Sequence, residues 1–294
     1  MNHKHVTAVI VTYNRLDWLK QCLMSVKNQT RKPDRILVID NASTDGTDKY
    51  FETEKDDQVT YIRKIQNTGG AGGFNYGLRK AVELGTDYEW IMDDDTIPTQ
   101  TALEELLVSD ERLQGNWSFL ASNVRWQDNT PAVMNQLQTS DTWATHVDKG
   151  VIEVQSGTFV SILVKTQLVK QIGLPISDFF IWGDDTEYTL RLAQIQPGYF
   201  VSNSIVIHEI MVNERNDIIS ENNKLRLKRY FYSMRNSFYI ARREGKGGIY
   251  FIKKVILSFS LIKNTKKYKW RKFSILYKGL FAGMFFNPKI EKVE

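Results

Sequence analysis

Cysteine is almost missing: Cys22 stands alone among 294 residues. That excludes an internal disulfide and a cysteine-built zinc site, and it makes a reducing cytoplasm the expected compartment. No apolar run approaches the roughly 18 residues that cross a bilayer. The start, Met1-Asn2-His3-Lys4-His5, has no signal-peptide architecture, so a soluble or peripheral protein is expected. No stretch is rich in Pro, Gly and Ser, no segment repeats another, and no tract is low in complexity. What is present is ordinary for a globular chain, 42% apolar and 25% charged, which rules out a disordered or collagen-like protein. The length allows about two domains, or one large α/β domain with an appendage.

Acidic residues run out along the chain. Residues 223–294 hold 3 Asp and Glu against 19 Lys and Arg, whereas residues 1–222 hold 31 against 20. A domain at 1–222 and a basic, aromatic, helical region at 223–294 are therefore expected. In the first hundred residues β-branched runs alternate with helical spacing. Val6–Val11, Arg35–Ile39, Val59–Ile62 and Tyr88–Met92 read as strands, and Leu16, Leu19, Leu23 and Val26 mark a helix between the first two. Such alternation gives βαβ units and a parallel sheet, with ligands bound beyond the carboxyl ends of the strands. Further on, Phe119–Val124, Gly157–Val164 and Ser204–His208 read as strands and Asp184–Ala193 as a helix.

Asp93-Asp94-Asp95 is the sharpest signal, because it follows the strand without a gap. In an extended chain alternate residues share a face, so Asp93 and Asp95 are expected to converge while Asp94 points away. Two converging carboxylates call for a cation, and hard oxygen donors suit Mg²⁺ or Mn²⁺; the competing reading is a solvated acidic turn before the next helix. Asn67-Thr68-Gly69-Gly70-Ala71-Gly72-Gly73-Phe74-Asn75-Tyr76-Gly77 reads as a turn through which backbone, with the following helix N-terminus, approaches a phosphate. It fits neither a dinucleotide fingerprint nor a P-loop, and a plain tight turn is its alternative. Trp182-Gly183-Asp184-Asp185-Thr186-Glu187 sets acids at a helix start, where one could accept a proton from an alcohol; the macrodipole alone also favours acids there. Trp182 could stack on a sugar or fill a core. His208 is a lone structural histidine or, with the Asp triplet, a metal ligand.

Together the residues resemble a known family. Val9-Ile10-Val11-Thr12-Tyr13-Asn14-Arg15, Val38-Ile39-Asp40-Asn41-Ala42-Ser43-Thr44-Asp45-Gly46, Asn67-Thr68-Gly69-Gly70, Met92-Asp93-Asp94-Asp95 and Gly183-Asp184-Asp185-Thr186-Glu187 occur in the order and spacing of glycosyltransferase family 2. The chain is most similar to its bacterial galactofuranosyltransferase and rhamnosyltransferase branch, over about residues 5–210. The resemblance implies a GT-A fold, a Rossmann-like mixed α/β sheet flanked by helices, and an inverting mechanism with a nucleotide-sugar donor. It also implies roles. Thr12, Asn14 and Arg15 would border the nucleotide and Asp40 its base, with Asn67 and Gly70 near ribose and diphosphate. Asp93 would lie on the ribose side with Asp94 beside it, and Asp95 with His208 would hold Mn²⁺ or Mg²⁺. Asp185 would be the catalytic base, with Asp184 its rival, because Gly183 here separates Trp182 from the Asp pair. Trp182 would meet the acceptor.

Aromatics alternate with Lys and Arg beyond residue 223, as in Tyr268-Lys269-Trp270-Arg271-Lys272-Phe273. Amphipathic helices of this composition lie in an anionic leaflet; packing on the domain or pairing with a second copy is the alternative. No recognition motif favours nucleic acid. The expected protein is a cytoplasmic, peripheral glycosyltransferase at the inner face of the cell membrane. It would move galactofuranose from UDP-galactofuranose onto a lipid-linked oligosaccharide of a cell-surface glycan. The alternatives are rhamnose from dTDP-rhamnose, or a catalytically silent nucleotide-sugar binder.

Overall fold

The structure, a computed structural model, describes residues 3–293 apart from Gln136. Its first part runs β1 (Val6–Thr12), α1 (Leu16–Lys27), β2 (Arg35–Asp40), α2 (Thr47–Thr53), β3 (Val59–Arg63), α3 (Gly69–Glu83) and β4 (Tyr88–Asp93). These four strands are parallel and lie in the order β3-β2-β1-β4. The chain steps outward from β1 to β3, then α3 returns it to the other side of β1. That reversal opens a crevice at the carboxyl ends of β1 and β4, where Thr12 and Asp93 stand.

The sheet then becomes mixed. Its later elements are β5 (Thr96–Pro98), α4 (Ala102–Arg112), β6 (Phe119–Arg125), β7 (Gln138–Thr139), β8 (Val151–Ser156), β9 (Ile162–Lys165), α5 (Thr166–Ile172), α6 (Asp184–Ala193) and β10 (Gly198–His208). Strand β9 runs antiparallel between β4 and β6, and β6 runs parallel to β10. The 157–164 strand expected from sequence is shorter: 157–161 is a bend and only Ile162–Lys165 pairs. Short β5 folds back against the end of β10, antiparallel, with Thr96 opposite His208. Residues more than a hundred positions apart meet there.

Period-2 alternation distributes the strands' side chains over two cores. Val6, Ala8, Ile10, Trp90 and Met92 pack against Leu19, Leu23 and Val26 of α1 and Leu103 and Leu106 of α4. Val11, Leu37, Ile39, Ile91 and Ile162 pack against Phe74 and Leu78 of α3, Leu168 of α5, and Tyr188 and Leu192 of α6. Here one expectation is corrected. The glycine-rich segment is not an extended phosphate turn, because α3 already begins at Gly69. A Cβ on Gly73 or Gly77 would lie 2.5 Å from a methyl of Val11 or Val9. Those two glycines let the helix lie flush on β1.

Residues 229–285 form three helices, α7 (Arg229–Arg243), α8 (Gly247–Asn264) and α9 (Lys269–Phe285). They share a core of Leu227, Tyr230, Met234, Phe238, Leu261, Leu276 and Leu280. The chain then returns to the first part of the fold: Glu291 takes Arg79 of α3 at 2.7 Å and Ser177 Oγ at 3.0 Å. Among the described residues no helix is long and apolar enough to cross a membrane.

Candidate active site

The end of β1 and the turn after β4 are joined by charge. Thr12 Oγ1 donates to Asp94 at 2.7 Å, and the Arg15 guanidinium reaches Asp94 at 3.4 Å and bonds Asp95. The expectation that Asp94 points away is overturned: it is 4% exposed and turned toward Thr12 and Arg15. The strand stops at Asp93 and the chain turns through Asp94 and Asp95, so the two-residue period ends there too. Burial pushes Asp94 up to about 7 against the pull of Arg15. Asp93 is also raised, by burial and then by Asp95 and Asp94. Burial would raise Asp95 as well, but His208 and Arg15 outweigh it and hold that carboxyl below its usual range.

Asp95 and His208 are brought together by the β5–β10 pairing, closed by Glu209 N–H on the Asp95 carbonyl at 2.9 Å. His208 Nε2 lies 3.4 Å from Asp95 Oδ1, and among the described residues that buried oxygen has no hydrogen-bond partner. On its other side His208 Nδ1 meets Asn135 Oδ1 at 2.9 Å. An amide oxygen only accepts, so Nδ1 carries a proton, and whenever the ring is neutral Nε2 is the nitrogen with the free lone pair. Neighbouring ligands of an octahedral cation with bonds of about 2.1 Å stand about 3.0 Å apart. The orphaned carboxylate oxygen and the free imidazole nitrogen therefore fit a Mn²⁺ or Mg²⁺ ion. A separate trio of metal-competent groups, His3, His5 and Asp34, is on the surface at the amino end of β1. There Arg31 already neutralises Asp34 at 3.0 Å.

The neighbouring loops bring further polar groups to the carboxyl ends of the parallel strands. Asn14, in the left-handed region at φ 54°, joins the first two loops: its Oδ1 accepts from Thr44 N–H at 2.7 Å. Asp40 is fully buried. It accepts from Ser43 N–H at 2.8 Å and from Tyr61 Oη–H at 2.6 Å, with Arg63 at 3.7 Å. Tyr61 and Arg63 were not singled out from sequence, and they are the more accessible members of that group. Asn67 Oδ1 accepts from Gly69 N–H at 2.7 Å, and Gly70 faces open space. Lys64, also unforeseen, donates to Thr68 Oγ1 at 2.6 Å and to the Gly72 carbonyl at 2.9 Å.

Across the cleft, α6 begins with three acids. Glu187 is neutralised by a bidentate pairing with Arg191, both contacts at 2.9 Å, which leaves Asp184 and Asp185. Burial, then the neighbouring Asp185, pushes Asp184 up to about 8; burial raises Asp185 too. One Asp185 oxygen accepts from Thr186 N–H at 2.6 Å. Asp184 also lies within the field of Asp93, which brings the start of α6 near the β4 cluster. The two sides touch at Gly69, whose φ is +73° and whose absent Cβ would lie 1.9 Å from the Phe180 carbonyl. Only glycine permits that approach. Trp182 is half-buried and rests edge-on against Tyr230 with ring centres 5.2 Å apart.

With this geometry in view, the likeness to known proteins is informative. Residues 7–119 match the family model described as Glycosyl transferase family 2. Galactofuranosyltransferase GlfT1 of Mycolicibacterium smegmatis is 29% identical over 205 residues, 66% of this chain and 67% of its own. GlfT1 of Mycobacterium tuberculosis is 29% identical over 197 residues, 64% of each. The chain thus spans about two thirds of the length of these curated relatives. Mannosyltransferase PcManGT from Pyrobaculum calidifontis, in complex with GDP-Man and Mn²⁺, superposes with a TM-score of 0.57 at 15% identity, covering 96% of this chain and 87% of that one. S. aureus TarS 1–349 in complex with UDP gives 0.54 at 14% identity, covering 96% and 72%. Residues 7–119 match the glycosyl transferase family 2 model, the fold is GT-A, and the chain is a glycosyltransferase.

Proposed function

We propose that the protein moves galactofuranose from UDP-galactofuranose onto a hydroxyl of a lipid-linked glycan, with inversion and with the help of a divalent cation. The observation that carries this reading is the orphaned Asp95 Oδ1 facing His208 Nε2, across the cleft from the Asp184–Asp185 pair. Likeness to the two GlfT1 enzymes favours the sugar. A cation held by Asp95 and His208 would neutralise charge on the departing nucleoside diphosphate. Thr12, Asn14 and Arg15 border the nucleotide with Asp93 and Asp94, while Asp40, through Tyr61 and Arg63, shapes the floor beneath the base. Asn67 and Gly70 flank the ribose and diphosphate, and Trp182 borders the acceptor. Asp185 accepts the proton of the acceptor hydroxyl as its oxygen attacks the anomeric carbon. The bond to the diphosphate breaks on the opposite face in the same displacement.

Calorimetric titration with UDP-galactofuranose and dTDP-rhamnose, each with and without Mn²⁺, tests donor and cation together. Binding of the UDP donor at least about tenfold tighter with Mn²⁺, a difference of about 1.4 kcal/mol, is expected. Preference for dTDP-rhamnose would replace the sugar. Failure of both to bind would leave a silent GT-A domain.

The same reading places the protein at the cytoplasmic face of the membrane. On α8, Ile249, Ile252, Ile256 and Phe259 are exposed at spacings that form one stripe, and on α9 so are Trp270, Phe281 and Phe285. Lys263, Lys266, Lys267 and Arg271 gather at the end of α8, in the connection and in the first turn of α9. An exposed apolar stripe among cations suits an anionic lipid surface. Ile252→Glu with Ile256→Glu is expected to weaken co-sedimentation with phosphatidylglycerol vesicles by about tenfold or more. Equal partition of wild type and variant would overturn this placement.

A further inference from the structure

The loop that delivers Asp184 and Asp185 to the cleft has an unusual backbone. Phe180, Trp182 and Gly183 have φ of 63°, 65° and 92°, and left-handed residues in such a series persist only where their surroundings hold them. The support comes from α7, more than fifty residues later. Asn236 is fully buried. Its Nδ2 lies within hydrogen-bond distance of three carbonyls of the loop: Phe179 at 3.0 Å, Ile181 at 3.2 Å and Trp182 at 2.8 Å. Its Oδ1 accepts from Arg235 Nε at 3.0 Å, and Arg235 also donates to the Asp178 carbonyl at 2.5 Å. The one intervening carbonyl, that of Phe180, points the other way and accepts from Ala71 N–H of α3 at 3.2 Å. The loop is held between α7 and the glycine-rich start of α3.

We infer that Asn236 is a positioning residue for transfer: it fixes the strained 179–183 backbone so that the acid pair at the start of α6 stands at the acceptor hydroxyl. Packing alone does not ask for an amide here, since an asparagine inside a helix is a poor helix former and a small apolar residue would fill the space. What the amide matches is a set of carbonyls that the left-handed residues leave without strand or helix partners. A misplacement of about 1 Å at a reacting group costs on the order of 100-fold in rate. The basic helical region is therefore a working part of the active site and not an attachment to it.

The inference rests on reading Asp184 and Asp185 as the base pair, so the test separates the two. Asn236→Ala is expected to lower kcat on the order of 100-fold while KM and calorimetric Kd for the UDP donor stay within about twofold. Asn236→Ser, which restores one donor, is expected to fall between wild type and Asn236→Ala, and it serves if the alanine variant does not fold. Met234→Ala, two residues away on α7 with its side chain in the helical core, is the control for stability. It should lower Tm at least as much and keep kcat near wild type. Loss of kcat in Met234→Ala in proportion to its Tm, matching Asn236→Ala, would reduce Asn236 to a packing residue and overturn the inference. Full kcat in Asn236→Ala, with Asp185→Asn inactive, would overturn it as well. Activity retained in both Asp184→Asn and Asp185→Asn would instead remove the reading on which it rests.

Discussion

Asp185→Asn is expected to abolish sugar transfer, by about 10²–10⁴-fold in kcat as for loss of a general base, while donor binding stays nearly intact. The amide keeps the shape and can still accept from Thr186 N–H, the 2.6 Å contact that orients the carboxylate. It cannot take a proton from the acceptor. The pH profile gives a second reading of the same residue. Burial raises Asp185 and takes Asp184 to about 8, so at neutral pH the pair retains a proton that two exposed aspartates would have lost. A base works only after its proton leaves, so kcat should fall on the acid side along a limb displaced above the ordinary carboxylate range. Rising pH should restore it. Coupled carboxylates titrate as a pair, and the limb reports both. Wild-type kcat in Asp185→Asn would shift the role to Asp184; a limb at pH 4 would show that the pair is solvated.

Asp95→Asn and His208→Ala are expected to weaken Mn²⁺ binding about 100-fold, read directly by calorimetry or by the spin signal of free Mn²⁺ without any turnover. Asn135→Ala is expected to cost less, about 10-fold, because it removes only the group that sets the imidazole's tautomer and direction. The graded order is the diagnostic result. Asp95 Oδ1 is buried, has no hydrogen-bond partner among the described residues and lies 3.4 Å from His208 Nε2. An acid in that state is costly to keep unless a ligand satisfies it. Arg15 supplies charge from the other side. Undiminished Mn²⁺ affinity in both Asp95→Asn and His208→Ala would remove the proposed cation site.

Much of the parallel half of the sheet was legible because its signal is local. Val6–Thr12 is buried at every position, and a continuous β-branched run reads as a doubly covered strand whatever lies beside it. The glycine-rich segment misled because glycine reads as turn, whereas Gly73 and Gly77 are there for the distance between α3 and β1. The direction of Asp94 misled because alternation was extended one residue past the end of β4. Tyr61, Arg63, Lys64 and Asn135 carry no pattern, being single polar residues whose partners lie on other strands or loops. Asn236 had a faint signal, an amide within the aromatic run Tyr230-Phe231-Tyr232-Ser233-Met234-Arg235 and Phe238-Tyr239.

By itself the sequence determined the βαβ alternation, the position of acids at a strand end and a helix start, and the confinement of excess positive charge to residues 223–294. These are properties of neighbours along the chain, governed by periodicity, propensity and composition. Only the tertiary structure decided which groups share a site. Antiparallel pairing of β5 with β10 sets Asp95 against His208. A left-handed loop hydrogen-bonded by Asn236 leads into the α6 acids. Both depend on contacts between residues 54 to 113 positions apart. Such contacts form only when the whole core has been buried, and no local pattern encodes them.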